Sequence, residues 1–303
     1  MAIKRRVFIS SPRDPRLDRR RNELKWAIVK EIEKLGYEAQ VFGSNDGGRG
    51  LATKTWSPDE ADRVMRRCVG AAILGFPIWT FQAADETVSL VSEYCHYEGA
   101  LARAYRLPIL GVLEAGVKER VFFLPYGGDP SIQVPAQADH TWVSGPDFGA
   151  FIGSWIDKLE KRRDIFLGYS SGSHATAQSV KKYLEETLQV SVLDWYTDFA
   201  PAGSILADIQ EAESRCSAAI FLFTGVDTQM AENGIERAVP RDNVLFEAGY
   251  FVNAKGKDRV LIVRENDTKM PADLGGDIYA LLKHRSDISD IKPYMKRFVD
   301  QRL

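Results

Sequence analysis

Apolar runs typical of buried strands alternate with helical patterns along this chain, and the whole alternation occurs twice. Strand-like runs lie at 5–11, 35–42, 68–75 and 107–112 in the first half, and at 164–167, 190–195, 218–224 and 259–263 in the second. Helical patterns include 17–34, 175–188 and 205–215. Buried strands that alternate with helices form a parallel sheet covered by helices. We therefore expect an α/β protein with two tandem domains of one fold class.

The two halves also match each other at particular positions. Residues 68–75 parallel residues 216–223, and both segments begin with cysteine. Glu98 and Glu247 fall at matching points, each shortly before the last strand-like run of its half. A chain of 303 residues with 45% hydrophobic content can bury two cores of about 150 residues each. A helical pattern that ends near 158–163 marks the boundary, which gives domains 1–158 and 159–303.

A single carboxylate, Glu247, stands in the apolar segment 241–251, which is typical of the start of a buried helix. Its apolar neighbours leave the acid few groups able to solvate it. Carboxylates are seldom buried without a partner or a chemical role. One interpretation is a structural glutamate paired with Arg241 or Arg259. The other is a functional carboxylate with a perturbed pKa.

Small residues follow the first strand of the second half, at Gly168, Ser170, Ser171 and Gly172. Ligands of parallel sheets bind at the carboxyl ends of the strands, near a topological switch point. Small residues there let backbone N–H groups approach a phosphate at a helix start. Turns use the same residues for their geometry alone, so both interpretations stay open.

Four motifs of the second half occur together in one family. They are the loop 199–204 (Phe-x-Pro-x-Gly-Ser), the strand end 223–227 (Phe-Thr-x-x-Asp), the helix 241–251 (Arg-Asp-Asn-Val-x-Phe-Glu-x-Gly-Tyr-Phe) and the tail 271–276 (Pro-x-Asp-Leu-x-Gly). Residues 162–282 resemble the TIR-like domain of bacterial nucleotide-binding and antiviral effectors, relatives of the Toll/interleukin-1 receptor domains that cleave NAD. The resemblance implies a flavodoxin-like (TIR-like) α/β fold.

The resemblance also implies an NAD+ nucleosidase that breaks the nicotinamide–ribose bond, with Glu247 as the catalytic residue. NAD+ is then the substrate, and no cofactor is expected. The residues implied for substrate binding are Gly168, Tyr169, Ser170, Ser171, Trp195, Phe199 and Asn243. The aromatic members can stack on nicotinamide or adenine, although each is also an ordinary core candidate.

Cleavage of the nicotinamide–ribose bond needs few catalytic groups. Nicotinamide in NAD+ is already a cationic leaving group, so no general acid has to protonate it. One carboxylate can stabilise the oxocarbenium-like ribose or orient water, as in other glycoside hydrolysis. A site with one acid, Glu247, is therefore sufficient for the reaction.

Related effectors act in bacterial anti-phage defence and are switched on by a cyclic nucleotide or a partner. The resemblance accordingly implies a cyclic nucleotide activator. It also implies a homo-oligomer, in which the loop 199–204 covers the site and meets a neighbouring subunit. A TIR-like module that binds a nucleotide or assembles without turnover is the alternative, because one fold serves many functions.

The first half resembles TIR or nucleoside deoxyribosyltransferase-like domains more loosely, since it lacks the Asp-Asn-Val-x-Phe pattern before Glu98. A nucleoside or nucleotide transferase, a silent pocket and a sensor of a nucleotide signal all remain open for this half. Five arginines follow its first strand: Arg13, Arg16, Arg19, Arg20 and Arg21. They suit phosphate groups, or they form a solvated helix face, which is the commoner arrangement.

Composition excludes several classes of function. A net charge of −2 gives no sign of general nucleic-acid binding. The three cysteines indicate reduced residues of a cytoplasmic protein, not a disulfide framework. No apolar run is long enough to cross a membrane, so no membrane association is expected. Glu93, His96 and Glu98 do not share the spacing of metal ligands, and no metal site is expected.

Overall fold

The computed structural model describes residues 5–42, 56–124, 131–198, 205–225, 227–230, 236–266, 268–269 and 279–303. The loop 199–204 and the tail 271–276, with Phe199, lie outside the described residues. The chain divides into two compact units, and the division falls between Lys161 and Arg162. That point directly follows the last helix of the first unit, which ends at Glu160.

The first unit is a five-stranded parallel sheet with helices and one hairpin. Its elements are β1 (Arg6–Ser10), α1 (Arg19–Lys34), β2 (Glu38–Val41), α2 (Pro58–Met65), β3 (Gly70–Gly75), β4 (Pro77–Ala83), β5 (Glu86–Val91), α3 (Glu93–Ala104), β6 (Ile109–Glu114), β7 (Ser131–Val134) and α4 (Pro146–Glu160). The sheet order is β2-β1-β3-β6-β7, and every pair in it is parallel. Strands β4 and β5 form a separate antiparallel hairpin.

The second unit repeats this plan. Its elements are β8 (Arg163–Tyr169), α5 (His174–Lys182), β9 (Val192–Asp194), α6 (Trp195–Asp198), α7 (Ile205–Arg215), β10 (Cys216–Phe223), β11 (Asp227–Met230), β12 (Glu236–Val239), α8 (Asp242–Lys255), β13 (Val260–Glu265), β14 (Tyr279–Leu282) and α9 (Lys292–Arg302). The sheet order β9-β8-β10-β13-β14 is again wholly parallel. Strands β11 and β12 form an antiparallel hairpin.

Both sheets have the strand order 2-1-3-4-5, counted within each unit, which is the flavodoxin-like arrangement. The expected fold class of two tandem flavodoxin-like domains is confirmed. Both units also insert their hairpin between the third strand and the helix that carries the matching glutamate. The predicted internal repeat therefore extends to elements that the sequence pattern did not show.

Alternation along each central strand builds two cores, one on each face of the sheet. In β8, Ile165 and Leu167 pack into the core under α5 and α9. Phe166 points to the opposite face and packs with residues of α7 and α8. Burial on both faces explains why the central strands are continuous apolar runs and not alternating ones.

Several helices of the first unit begin at side chains that accept backbone N–H groups. The Asp18 carboxylate accepts the Arg21 N–H at 2.8 Å before α1, and the Ser92 hydroxyl accepts the Tyr94 N–H at 3.1 Å before α3. Such caps satisfy N–H groups that have no partner inside the helix. The cap at Ser92 sets where α3 starts, and therefore how far Glu98 lies along the helix from its N-terminus.

The structure differs from the sequence prediction mainly at the sheet edges and hairpins. Strands β7 and β14 were not predicted, because each has only four residues and is only partly buried. The strand predicted at 190–195 ends at Asp194, and Trp195 begins the short helix α6. The strand predicted to end at Leu167 continues to Tyr169.

Candidate active site

Glu247 is the sixth residue of helix α8, beside the stripe that packs onto the sheet. Val244, Ala248 and Phe251 form this buried stripe. The Phe251 ring stacks on Phe166, with 5.0 Å between the ring centroids. In a helix with 3.6 residues per turn, Glu247 then lies at the border between the packed stripe and the open face.

The Glu247 carboxylate makes no hydrogen bond or ion pair with any residue in the described part of the chain. Burial alone raises its pKa to about 7. The predicted structural pairing is absent, because the Arg259 guanidinium donates to the Arg302 carbonyl and Arg241 has other interactions. An unpartnered, partly exposed carboxyl with a raised pKa is a functional-site candidate on physical grounds.

Asn243 lies one turn before Glu247 on α8 and is exposed. Residues four apart share a face of a helix, so the two side chains project from the same flank. Asn243 offers amide donors and an acceptor next to the carboxylate. The two predicted residues on this helix are therefore neighbours.

Tyr169 ends strand β8 and belongs to a buried polar network on the other face of the sheet. Its hydroxyl donates to Asp194 Oδ1 at 2.8 Å, and Gln178 Nε2 donates to Asp194 Oδ2 at 3.0 Å. Lys181 Nζ lies 3.6 Å from the same carboxylate. Burial, followed by the bond to Asp194, raises the pKa of Tyr169. Sequence reasoning missed Asp194, because only the parallel pairing of β8 with β9 brings it to Tyr169.

Trp195 packs against the cores on both faces of the second sheet. Its ring centroid lies 5.6 Å from that of Tyr169. The indole Nε1 is buried and has no hydrogen-bond partner among the described residues. A buried donor without a partner is rare and is satisfied when a ligand or water supplies an acceptor. Trp195 is therefore both a packing residue and a source of one free donor.

Three hydroxyls meet where β8 and β10 end. Ser170 Oγ lies 3.2 Å from Ser173 Oγ, and Ser173 Oγ is hydrogen-bonded to Thr224 Oγ1. All three residues are buried, whereas Ser171 is exposed. Ser173 and Thr224 were not among the predicted site residues. The strand order explains their position, because β10 lies directly beside β8 at the switch point.

Gly168 lies inside strand β8, not in the loop where the sequence placed it. A Cβ atom at this position would lie 2.4 Å from Cδ1 of Phe221. The glycine is therefore required by the packing of Phe221 across β8 and β10. The loop that can approach a ligand begins at Ser170.

The predicted residues fall into two groups. Tyr169, Ser170 and Trp195 cluster at the ends of β8 and β9, whereas Glu247 and Asn243 share a flank of α8. No hydrogen bond or ring contact between described residues joins the two groups. Both groups lie toward the carboxyl end of the sheet, where ligands of this topology bind. The first group is at the ends of β8 and β9, and the second is near the start of α8, because a helix that follows a parallel strand begins at the carboxyl end of the sheet.

No helix within the described ranges is long and apolar enough to span a lipid bilayer.

Comparison with known proteins identifies relatives of the second unit. Residues 164–284 match the family model described as "CAP12/Pycsar effector protein, TIR domain". A CD-NTase-associated protein 12 of Niabella drilacis is 31% identical over 119 residues, which are 38% of this chain and 38% of the relative. The Pycsar effector protein BcPycTIR of Burkholderia cepacia is 35% identical over 80 residues, 26% of each chain. The chain thus spans about two fifths or less of the length of these relatives.

Among solved structures, the TIR domain of the Toll-related receptor TRR-2 of Hydra magnipapillata aligns with a TM-score of 0.35 and 9% identity. The alignment covers 46% of this chain and 99% of that domain. The resemblance predicted from the motifs rests instead on the family model and the sequence relatives, and it is confirmed: residues 164–284 of the C-terminal half match the TIR domain of CAP12/Pycsar effector proteins.

Proposed function

We propose that the second unit hydrolyses NAD+ at the nicotinamide–ribose bond and that Glu247 is its catalytic residue. One observation carries the proposal: Glu247 is a carboxyl without a partner among the described residues, its pKa is raised to about 7 by burial, and it lies on the helix at the ligand-binding end of the sheet. The match of residues 164–284 to a TIR effector domain supports the substrate class.

The reaction follows from the position of one negative charge. The bond between ribose C1′ and the nicotinamide nitrogen breaks, and its electron pair leaves with neutral nicotinamide. The sugar becomes oxocarbenium-like, and the ionised Glu247 stabilises this cation. A water oxygen then bonds to C1′, and its proton leaves through Glu247 or solvent. The positively charged nicotinamide ring of bound NAD+ favours the ionised form of a carboxyl with a pKa about 7.

The remaining groups bind and orient the substrate in this proposal. Asn243, one turn from Glu247, donates its amide to a ribose hydroxyl. Trp195 offers its indole face for stacking and its unpartnered Nε1 for an acceptor on the substrate. The hydroxyls of Ser170, Ser173 and Thr224 supply donors near the strand ends, where dinucleotide phosphates bind in this topology.

The biological role we propose is that of an effector in bacterial anti-phage defence. The matching family model and two of the relatives are named as effector proteins, which supports this role. An NADase that is always active would kill its host, so a cyclic nucleotide activator and assembly into an oligomer are proposed as its controls.

The test measures nicotinamide and ADP-ribose released from NAD+ by the full chain, alone and with a panel of cyclic mononucleotides and dinucleotides. Glu247→Gln removes the charge and keeps the shape of the side chain. Glu186→Gln is the matched control, because Glu186 is an exposed glutamate of the same unit with no described interaction. Cleavage by the wild type and the control, but not by Glu247→Gln, is the expected result. Equal cleavage by all three would contradict the role of Glu247, and a nucleotide that binds without cleavage would favour a binding module.

A further inference from the structure

The first unit holds a cavity of about 390 Å³ at the carboxyl ends of its strands. Ser11, which follows β1, and Phe42, which follows β2, border it, and so does Ile78 in the hairpin that follows β3. The cavity therefore opens at the switch point between β1 and β3, where ligands of doubly wound sheets bind. Its volume falls in the range of small-molecule sites.

Glu98 forms one wall of this cavity and is only 4% exposed. Its two carboxylate oxygens accept separate hydrogen bonds, one from the Ser10 hydroxyl and one from Trp56 Nε1 at 2.7 Å. Burial raises its pKa to about 7, although both donors act in the opposite direction. The carboxyl is thus held in one orientation by donors from β1 and from the segment before α2.

Aromatic faces form the other walls. Trp79 projects from the hairpin strand β4 and is 47% exposed, so much of its ring is open to a ligand. Trp56 lies against Tyr94, with 4.3 Å between the ring centroids. Planar rings at the mouth of a cavity provide stacking surfaces for a planar ligand.

Two of the five clustered arginines provide positive charge at the same mouth. Arg19, Arg20 and Arg21 are used inside the unit, where they pair with Glu23 or Glu114. Arg13 and Arg16 line the cavity instead. Within the described ranges, neither side chain pairs with a carboxylate, and the Arg16 guanidinium lies 5.9 Å from the Trp79 ring centroid. The cluster therefore divides into structural arginines and two arginines without an ion pair among the described residues, which line the cavity together with the carboxylates of Glu93 and Glu98.

We propose that this cavity binds a nucleoside phosphate of about mononucleotide size. The base stacks on Trp79, the phosphate pairs with Arg13 and Arg16, and Glu98 accepts a hydrogen bond from a ribose hydroxyl or a base N–H. The three recognition elements, an aromatic face, a pair of guanidinium groups and a fixed acceptor, match the three parts of a nucleotide. The proposal concerns binding in the first unit and does not depend on NAD+ cleavage in the second.

Calorimetric titration of the full chain tests the proposal with 5′-mononucleotides, 3′,5′-cyclic mononucleotides, the parent nucleosides and inorganic phosphate. Binding of at least one nucleotide is expected, with weaker binding of its nucleoside and of phosphate alone. The two nucleotide arms decide between linear and cyclic phosphate as the preferred form. Absence of heat from every nucleotide at millimolar concentration would overturn the proposal.

Paired variants then assign the binding to this cavity. Arg13→Gln/Arg16→Gln should weaken nucleotide binding by about tenfold or more, because charge-assisted bonds to phosphate are lost. Arg19→Gln is the control for loss of a nearby positive charge and should change the Kd little, since Arg19 pairs with Glu23 on the surface and does not line the cavity.

A second pair of variants tests the aromatic wall of the cavity. Trp79→Ala should weaken binding by about fivefold or more through lost stacking. Phe81→Ala removes a ring of similar exposure (48%) from the same strand, but one that does not line the cavity, and should leave the Kd unchanged. Melting curves verify that each variant is folded. Unchanged affinity in both the Arg13→Gln/Arg16→Gln and Trp79→Ala variants would place the ligand elsewhere and overturn the proposal.

Discussion

Glu98 and Glu247 occupy the same position in two copies of one fold, yet their surroundings differ. Each is the sixth residue of the helix that follows a hairpin, and burial raises each pKa to about 7. Glu98 accepts two hydrogen bonds inside a lined cavity, whereas Glu247 accepts none from the described residues. This difference agrees with the roles proposed above, which are ligand recognition for Glu98 and catalysis for Glu247.

The pairing register of the two sheets gives a cause for this difference. In the first unit Ser10 of β1 pairs with Ile73, and in the second Gly168 of β8 pairs with Phe221. Because residues 68–75 correspond to 216–223, Gly168 is the counterpart of Ser10. The second unit therefore has no hydroxyl at the position that corresponds to Ser10, and the Phe221 ring packs against Gly168 there. This one register position accounts for one of the two donors that Glu98 has, and the other donor is Trp56.

The largest expected effect comes from neutralising each glutamate in turn. Glu247→Gln should reduce NAD+ cleavage by about 10²–10³-fold or more, because the charge opposite the developing cation is lost. Glu98→Gln should leave cleavage near the wild-type rate. Nicotinamide release under activating conditions measures both. Equal losses in the two variants would show two working sites or one shared site.

Gly168→Ala should destabilise the protein by about 1–3 kcal/mol, because the added methyl group overlaps the Phe221 ring. Gly249→Ala is the control: its Cβ meets nothing within 4 Å, and alanine favours a helix interior. Denaturant unfolding of both variants distinguishes the two. If the Gly168→Ala variant were as stable as the wild type, packing against Phe221 would not explain why this position has glycine and not a residue with a hydroxyl, as at Ser10.

Glu247→Gln should also change how stability depends on pH. The folded state raises the pKa of Glu247 from its ordinary 4.5 to about 7, so the neutral form is favoured and ionisation destabilises the fold. Above pH 7 the glutamine variant should therefore melt higher, by about 2–4 °C for each kcal/mol gained. Below pH 4.5 both side chains are neutral and the melting temperatures should converge. A difference that does not vary between pH 4 and pH 8 would contradict the raised pKa.

The smallest effect tests the first unit alone. Ser10→Ala removes one of the two donors that oppose the raised pKa of Glu98, so that pKa should rise above about 7. Carbon-13 NMR titration of the glutamate carboxyls measures the shift, with Glu98→Gln assigning the resonance. An unchanged midpoint would mean that Ser10 does not control the carboxyl.

Sequence reasoning recovered the parts of the molecule that depend on local pattern. Long apolar runs marked β3, β8, β10 and β13, and an acid among apolar residues marked Glu247. The contacts that complete the sites are not local. Ser10 meets Glu98 only after α3 packs against β1, and Tyr169 meets Asp194 only after β8 pairs with β9. Gly168 shows the same limit, because the sequence alone does not distinguish a glycine in a loop from a glycine packed beneath an aromatic ring.

Asp194 has a consequence for the thermodynamics of ligand binding. Its buried carboxylate accepts hydrogen bonds from the Tyr169 hydroxyl of β8, the Gln178 amide of α5 and the Tyr196 backbone N–H of α6. These groups lose their conformational freedom when the chain folds, before any ligand arrives. A ligand that entered at the ends of β8 and β9, as proposed above, would meet a surface that folding has already ordered. The entropic cost of ordering that surface is then part of the free energy of folding and does not reduce the affinity for the ligand.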